Sequence, residues 1–121
     1  MNAKQRQLRA VDYVQHIVDA IAQVNDYVGN LSKDNFLLDK RTQHAVILNL
    51  IVMGEAATQI TDECPDFAAT YAQVPWKHMR GMRNRMAHGY FDINLEVVWE
   101  TVQQSLPELQ QQLLAIQREL N

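Results

Sequence analysis

Leu8, Val11, Val14, Ile17, Ile21, Val24 and Val28 recur at steps of three and four along an otherwise polar stretch. That spacing lines one helical face and predicts a first helix from about Gln5 to Val28. Gly29 supplies a C-terminal stop. In the short connection that follows, Ser32, Asp34 or Asp39 can cap the next helix. The second helix is predicted from about Lys40 to Glu63, with Val46, Leu50, Met53, Ala57 and Ile60 at steps of four and three. Ile47, Leu48, Ile51 and Val52 widen its apolar face. A helix apolar on most sides is expected to be central, or covered on one side by a partner chain. Cys64-Pro65 ends it, because the residue before a proline avoids the α region.

Asp66 to Val74 reads as a loop or a short helical turn. Pro75 suits the first turn of a third helix, where its missing N–H costs nothing. That helix turns Trp76, Met79, Met82 and Met86 inward and Lys77, Arg80, Arg83 and Arg85 outward or into a cleft, and Gly89 ends it. Gly81 in its interior costs roughly 1 kcal/mol relative to alanine, so a close backbone approach is expected there. A fourth helix begins after Asp92 or Asn94. Leu95, Trp99, Val102, Leu106, Leu109, Leu113, Ile116 and Leu120 form a heptad-type seam along it, and Pro107 inside the seam predicts a kink or break near Ser105. The expected fold is all-α: a single domain over residues 1–121, built as an antiparallel bundle of four principal helices.

Composition narrows the class. At 121 residues one domain is expected, and 47% hydrophobic with 21% charged residues is ordinary for a water-exposed fold. The single cysteine, Cys64, has no internal disulfide partner, the polar N-terminus lacks a signal-peptide core, and no apolar run is long enough to cross a bilayer. A cytoplasmic protein without a membrane segment is expected. The net charge of −3 is unevenly spread. From Phe67 to Phe91 there is no Asp or Glu, while Lys77, Arg80, Arg83 and Arg85 give that window +4 and leave −7 elsewhere. A basic site on an acidic body can hold phosphate locally while repelling it elsewhere.

The chain lacks a Gly-rich phosphate loop, H-E-x-x-H, paired C-x-x-C and G-x-S-x-G. Its four histidines are not spaced as a metal set, and His16, His44 and His78 read as structural or surface residues. What remains is Arg83-Asn84-Arg85-Met86-Ala87-His88-Gly89-Tyr90, a fixed cation, an imidazole and a phenol within eight residues. On a helix Asn84 and His88 share a face, and Arg83 lies about 7.5 Å along the axis from His88. RNA cleavage needs few parts, because the ribose 2′-hydroxyl is itself the nucleophile. Histidine can move the proton and arginine can stabilise the charge on phosphorus, without a metal or other cofactor. Taken singly, the same residues read as a surface histidine, a solvated or paired arginine and a boundary tyrosine. Glu55, inside the apolar stretch of the second helix, either pairs with a cation of the Arg80–Arg85 group or points to solvent.

Arg-x-x-x-x-His-x-Tyr, with Asn84 after the arginine, resembles the HEPN motif in the form found in HepT-like proteins. The resemblance covers nearly the whole chain: Phe36, Thr42-Gln43-x-Ala45, Gly54-Glu55-Ala56, Pro75-Trp76, Gly81-Met82-Arg83-Asn84, Ala87-His88-Gly89-Tyr90-Phe91, Trp99 and Leu106-Pro107-x-Leu109 follow in order. Met53 stands where isoleucine is commoner, a conservative departure. The resemblance implies a homodimeric, HEPN-like bundle that acts as the toxin of a type II toxin-antitoxin pair. It implies a metal-independent endoribonuclease on RNA, with Arg83 and His88 as the catalytic pair and Asn84, Arg80 and Arg85 in support. It further implies a minimal nucleotidyltransferase antitoxin as partner, which neutralises the toxin by transferring AMP to Tyr90. The alternative is a non-catalytic helical subunit that serves such a nucleotidyltransferase as binding or substrate-positioning partner.

Overall fold

The computed structural model describes residues 1–121 and contains only helices and turns. The first helix, α1 (Ala3–Val28), starts two residues earlier than its apolar face suggests, because Asn2 and Gln5 close a reciprocal capping box. Its buried face begins at Ala10. Leu8 stays exposed, since the apolar spacing continues past the point where a neighbouring helix covers it. Gly29 ends α1 at a φ of 53°, a backbone setting that favours glycine, and its N–H bonds to the Asn25 carbonyl.

The connection after α1 holds a short helix, α2 (Lys33–Leu38), capped by Ser32. Phe36 anchors it, fully buried, with its ring centroid 5.3 Å from that of Trp99 and its carbonyl accepting a 2.8 Å bond from Gln43 Nε2. Asp39 then caps α3 (Lys40–Glu63), taking bonds from both the N–H and the hydroxyl of Thr42. Those bonds hold the Asp39 carboxyl below its usual range. Of the three candidate caps two are used, while Asp34 sits in the first turn of α2.

α3 is the central helix, packed on α1 along one side and on α5 (Trp76–His88) along another. Val46, Leu50, Met53, Ala57 and Ile60 are buried, whereas Leu48 and Val52 on its outer side remain 61% and 39% exposed. Cys64 ends α3 as expected, and Pro65 opens a further short helix, α4 (Pro65–Thr70). Pro75 lies at the cap just outside α5 rather than within its first turn. Trp76, Met79, Met82 and Met86 point inward as their spacing predicts.

The C-terminal seam is interrupted as Pro107 requires. α6 (Leu95–Glu100), capped by Asn94, passes into a π-turn at Thr101–Ser105 before α7 (Leu106–Leu120). The wider turn lets the Leu106 N–H reach the Thr101 carbonyl, five residues back. α7 then lays Leu106, Leu109, Leu113 and Ile116 into the core and packs against α1. α1, α3, α5 and the α6–α7 pair are the four principal members of the bundle. No helix is long and apolar enough to cross a membrane.

Candidate active site

α5 carries the candidate residues on two different sides. Arg83 and His88 are five positions apart in sequence, which places them about 140° apart around the axis. Arg83 faces α3 at Gly54, where the two backbones approach closely. A Cβ added to Gly54 would overlap the Arg83 side chain and lie 2.7 Å from the Met79 carbonyl oxygen. Gly81, where the close approach was expected, has open space instead: an added Cβ would meet only the Arg85 guanidinium, at 3.7 Å.

The Arg83 side chain lies against α3 and is 19% exposed. Its Nε sits 3.0 Å from Glu55 Oε1, and one terminal nitrogen is 3.4 Å from Thr58 Oγ1. The Nε–H does not point along the line to Glu55, so the contact is ionic and this shielded nitrogen donates no hydrogen bond. Glu55 therefore pairs with the basic segment, through Arg83. Arg80 forms a separate exposed ion pair with Asp62 at 3.3 Å. No hydrogen bond or ion pair joins Arg83 to His88.

His88 lies on the other side, in the last turn of α5, and is exposed without an ion-pair partner. With Asn84 and Arg85 it lines a cavity of about 740 Å³ between α5, the 3₁₀ turn Tyr90–Asp92 and α6. Gly89 gives the sharp exit from α5, since a Cβ there would come within 2.8 Å of the Arg85 carbonyl oxygen.

Tyr90 follows in the 3₁₀ turn and is half exposed. Its ring centroid is 6.4 Å from that of His44 on α3 and 5.7 Å from that of Phe91, which is 96% exposed. His44 is a site neighbour that sequence reasoning passed over as a surface residue, because no spacing links two positions 46 residues apart. His16 and His78 are exposed and do not line the cavity beside His88. Cys64 is buried, its thiol donating to the Arg6 carbonyl, and burial pushes its pKa up, away from nucleophilic use. No three His, Cys, Asp or Glu side chains converge as metal ligands.

A family model described as "Ribonuclease HepT-like" matches residues 17–116. The chain belongs to the HepT-like ribonuclease family. It is 36% identical over 98 residues to a Thermococcus cleftensis protein named "Probable ribonuclease HepT", covering 81% of this chain and 86% of that one. A Methanocaldococcus jannaschii protein, named as a candidate RNase, is 38% identical over 95 residues, covering 78% and 76% of the two chains. A third relative so named, from Caldanaerobacter subterraneus, is 32% identical over 104 residues, covering 86% and 90%. No solved structure matches. In this HepT-like chain the matched span holds Gly54, Glu55 and every residue of the Arg83–Tyr90 segment.

Proposed function

We propose that this HepT-like ribonuclease is a metal-independent endoribonuclease and the toxin of a type II toxin-antitoxin pair, acting in the cytoplasm. The observation that carries the reading is His88, exposed and unpaired at a cavity it shares with Arg85 and Asn84, in a chain of a ribonuclease family. A neutral imidazole takes the 2′-hydroxyl proton as that oxygen attacks phosphorus. The 5′-oxygen leaves with a proton from a second imidazole, giving a 2′,3′-cyclic phosphate and a 5′-hydroxyl. Arg83 stabilises the charge that builds on phosphorus, once released from Glu55. With one such histidine per chain, acid and base come from two copies. Purified protein is therefore expected to cut single-stranded RNA in excess EDTA and to leave cyclic phosphate ends. Cleavage that stops in EDTA and returns with a divalent cation would remove metal independence from the proposal.

A homodimer supplies the second copy. Leu48 and Val52 sit one turn apart on α3, His44 one turn before them against Tyr90, and Phe91 beside Tyr90. The exposed apolar pair Leu48 and Val52 supports pairing of two copies over the outer side of α3, which leaves Tyr90 and Asp92 accessible. Leu48→Glu should then lower the sedimentation mass from dimer to monomer and abolish cleavage together. An unchanged mass would move the interface elsewhere.

Tyr90 is the proposed AMP acceptor. Its exposed phenol oxygen attacks the α-phosphate of ATP held by a nucleotidyltransferase antitoxin, pyrophosphate leaves, and the phenolic proton passes to the transferase. The attached phosphate adds negative charge and bulk beside the basic segment, which opposes RNA binding. Incubation with the antitoxin and ATP should add AMP mass to the wild type and none to Tyr90→Phe. Neutralisation of an unmodified toxin would overturn this role. The Glu55–Arg83 contact favours a second reading, a non-catalytic partner subunit of the nucleotidyltransferase, in which Arg83 serves only to join α5 to α3.

A further inference from the structure

The cavity beside His88 is larger and more apolar than proton transfer needs. Met82, Met86 and Val98 form its floor, and Val97, 46% exposed, forms an unpartnered apolar wall. Around that floor stand polar groups without protein partners. Asn84, Arg85 and His88 come from α5, and the Asp92 carboxylate comes from the 3₁₀ turn. Asn94 spends its oxygen on the Glu96 and Val97 N–H groups, which leaves its amide N–H₂ free at the rim. A volume of about 740 Å³ falls within the ~300–1,000 Å³ typical of small-molecule sites.

We infer that this cavity is a nucleobase subsite, which holds one unstacked base of the RNA next to the scissile phosphate. The inference rests on the RNA-cleaving reading and adds to it the place where sequence preference arises. Single-stranded RNA is recognised by splaying a base out, covering its flat faces and hydrogen-bonding its edge. The apolar floor and Val97 cover the faces. Asp92 accepts from an amino or imino N–H of the base, while the Asn84 and Asn94 amides can donate to its carbonyl or ring nitrogen. Arg85 and His88 at the mouth then meet the adjoining phosphate. Charge complementarity thus orients the nucleotide with its base inward and its phosphate at the histidine. The Asp92 carboxylate disfavours a phosphate on its own side of the cavity, which favours the same orientation.

The test uses a fluorescein-labelled hexanucleotide with 2′-O-methyl groups, which has no free 2′-nucleophile, and a series in which one base at a time is removed. Binding by anisotropy is expected to weaken about tenfold when one particular base is missing. In Val97→Gln, and independently in Asp92→Ala at an exposed turn, the intact hexamer should bind correspondingly worse and removal of that base should cost nothing more. Equal binding of every abasic hexamer by the wild type would overturn the subsite. So would a base dependence that persists undiminished in both variants. Cleavage of unmodified RNA, followed in parallel, separates the two readings. Cleavage without base-dependent binding sinks the subsite alone, whereas base-dependent binding without cleavage sinks the ribonuclease reading alone.

Discussion

His88→Ala should lower RNA cleavage by about 10²–10⁴-fold, the usual contribution of a positioned general acid or base. The loss is expected in kcat, because the imidazole moves a proton in the transition state and holds little of the substrate. Stability should hardly change, within about 0.5 kcal/mol, since an exposed side chain away from the core is being removed. Parallel thermal melts and single-turnover cleavage make the comparison. A variant that melts like the wild type and still cuts at its rate would leave His88 without a catalytic role. The same measurement on Arg83→Ala behaves differently. That change also frees Glu55 and opens the α3–α5 contact, so activity and stability are expected to fall together.

Gly54→Ala is expected to destabilise the protein by roughly 1–3 kcal/mol, the range for forcing extra volume into a packed contact. In an unencumbered helix the same change would stabilise by about 0.5–1 kcal/mol. At Gly54 the new methyl group collides with the Arg83 side chain and with the Met79 carbonyl oxygen, and a backbone carbonyl cannot swing aside. α3 and α5 must separate, and Arg83 must leave Glu55. Gly81→Ala is the matched control. Its new methyl group meets only a flexible guanidinium, so this change should stabilise by the helix-propensity increment. Urea midpoints for the two variants should therefore move in opposite directions. Movement in the same direction would mean that the close contact at Gly54 is relieved by a small shift of the helices.

The contrast between these glycines marks where sequence reasoning runs out. A helical glycine invites the expectation of a close neighbour, but the side of the helix it faces depends on packing, and that is not written in local spacing. The long helices were legible because α1 and α3 bury continuous stripes whose spacing survives any packing arrangement. α2 was not. Its six residues hold no repeating face, and the helix exists because Phe36 finds a pocket against Trp99, 63 residues further on. Leu8 shows the reverse error, a residue in phase with the buried stripe that nonetheless stays exposed.

At the candidate site, the order of Arg83, Asn84, His88 and Tyr90 is given by the chain itself, and the structure takes the pairing option for Glu55. The division of Arg83 and His88 between two sides of α5 was implicit in their five-position spacing, which distance along the axis alone conceals. The cavity was not legible at all. Its α6 side comes from Val97 and Val98, whose orientation is set by how the helix is interrupted, and the expected kink or break near Ser105 left that open.

That orientation depends on the π-turn at Thr101–Ser105. A π-turn is an α-helix with one residue too many, so it acts as a phase shifter between two stretches of the same helix. Without the extra residue, α6 would be rotated by about 100° relative to α7, the angle of one helical step. Val98, now 1% exposed, would swing out of the core, and the wall facing His88 would be made of different side chains. In this architecture the length of the segment ahead of Pro107, more than its composition, sets which residues face the imidazole. Insertions and deletions of a single residue there would redraw the pocket while the hydrophobic seam of α7 stayed in place.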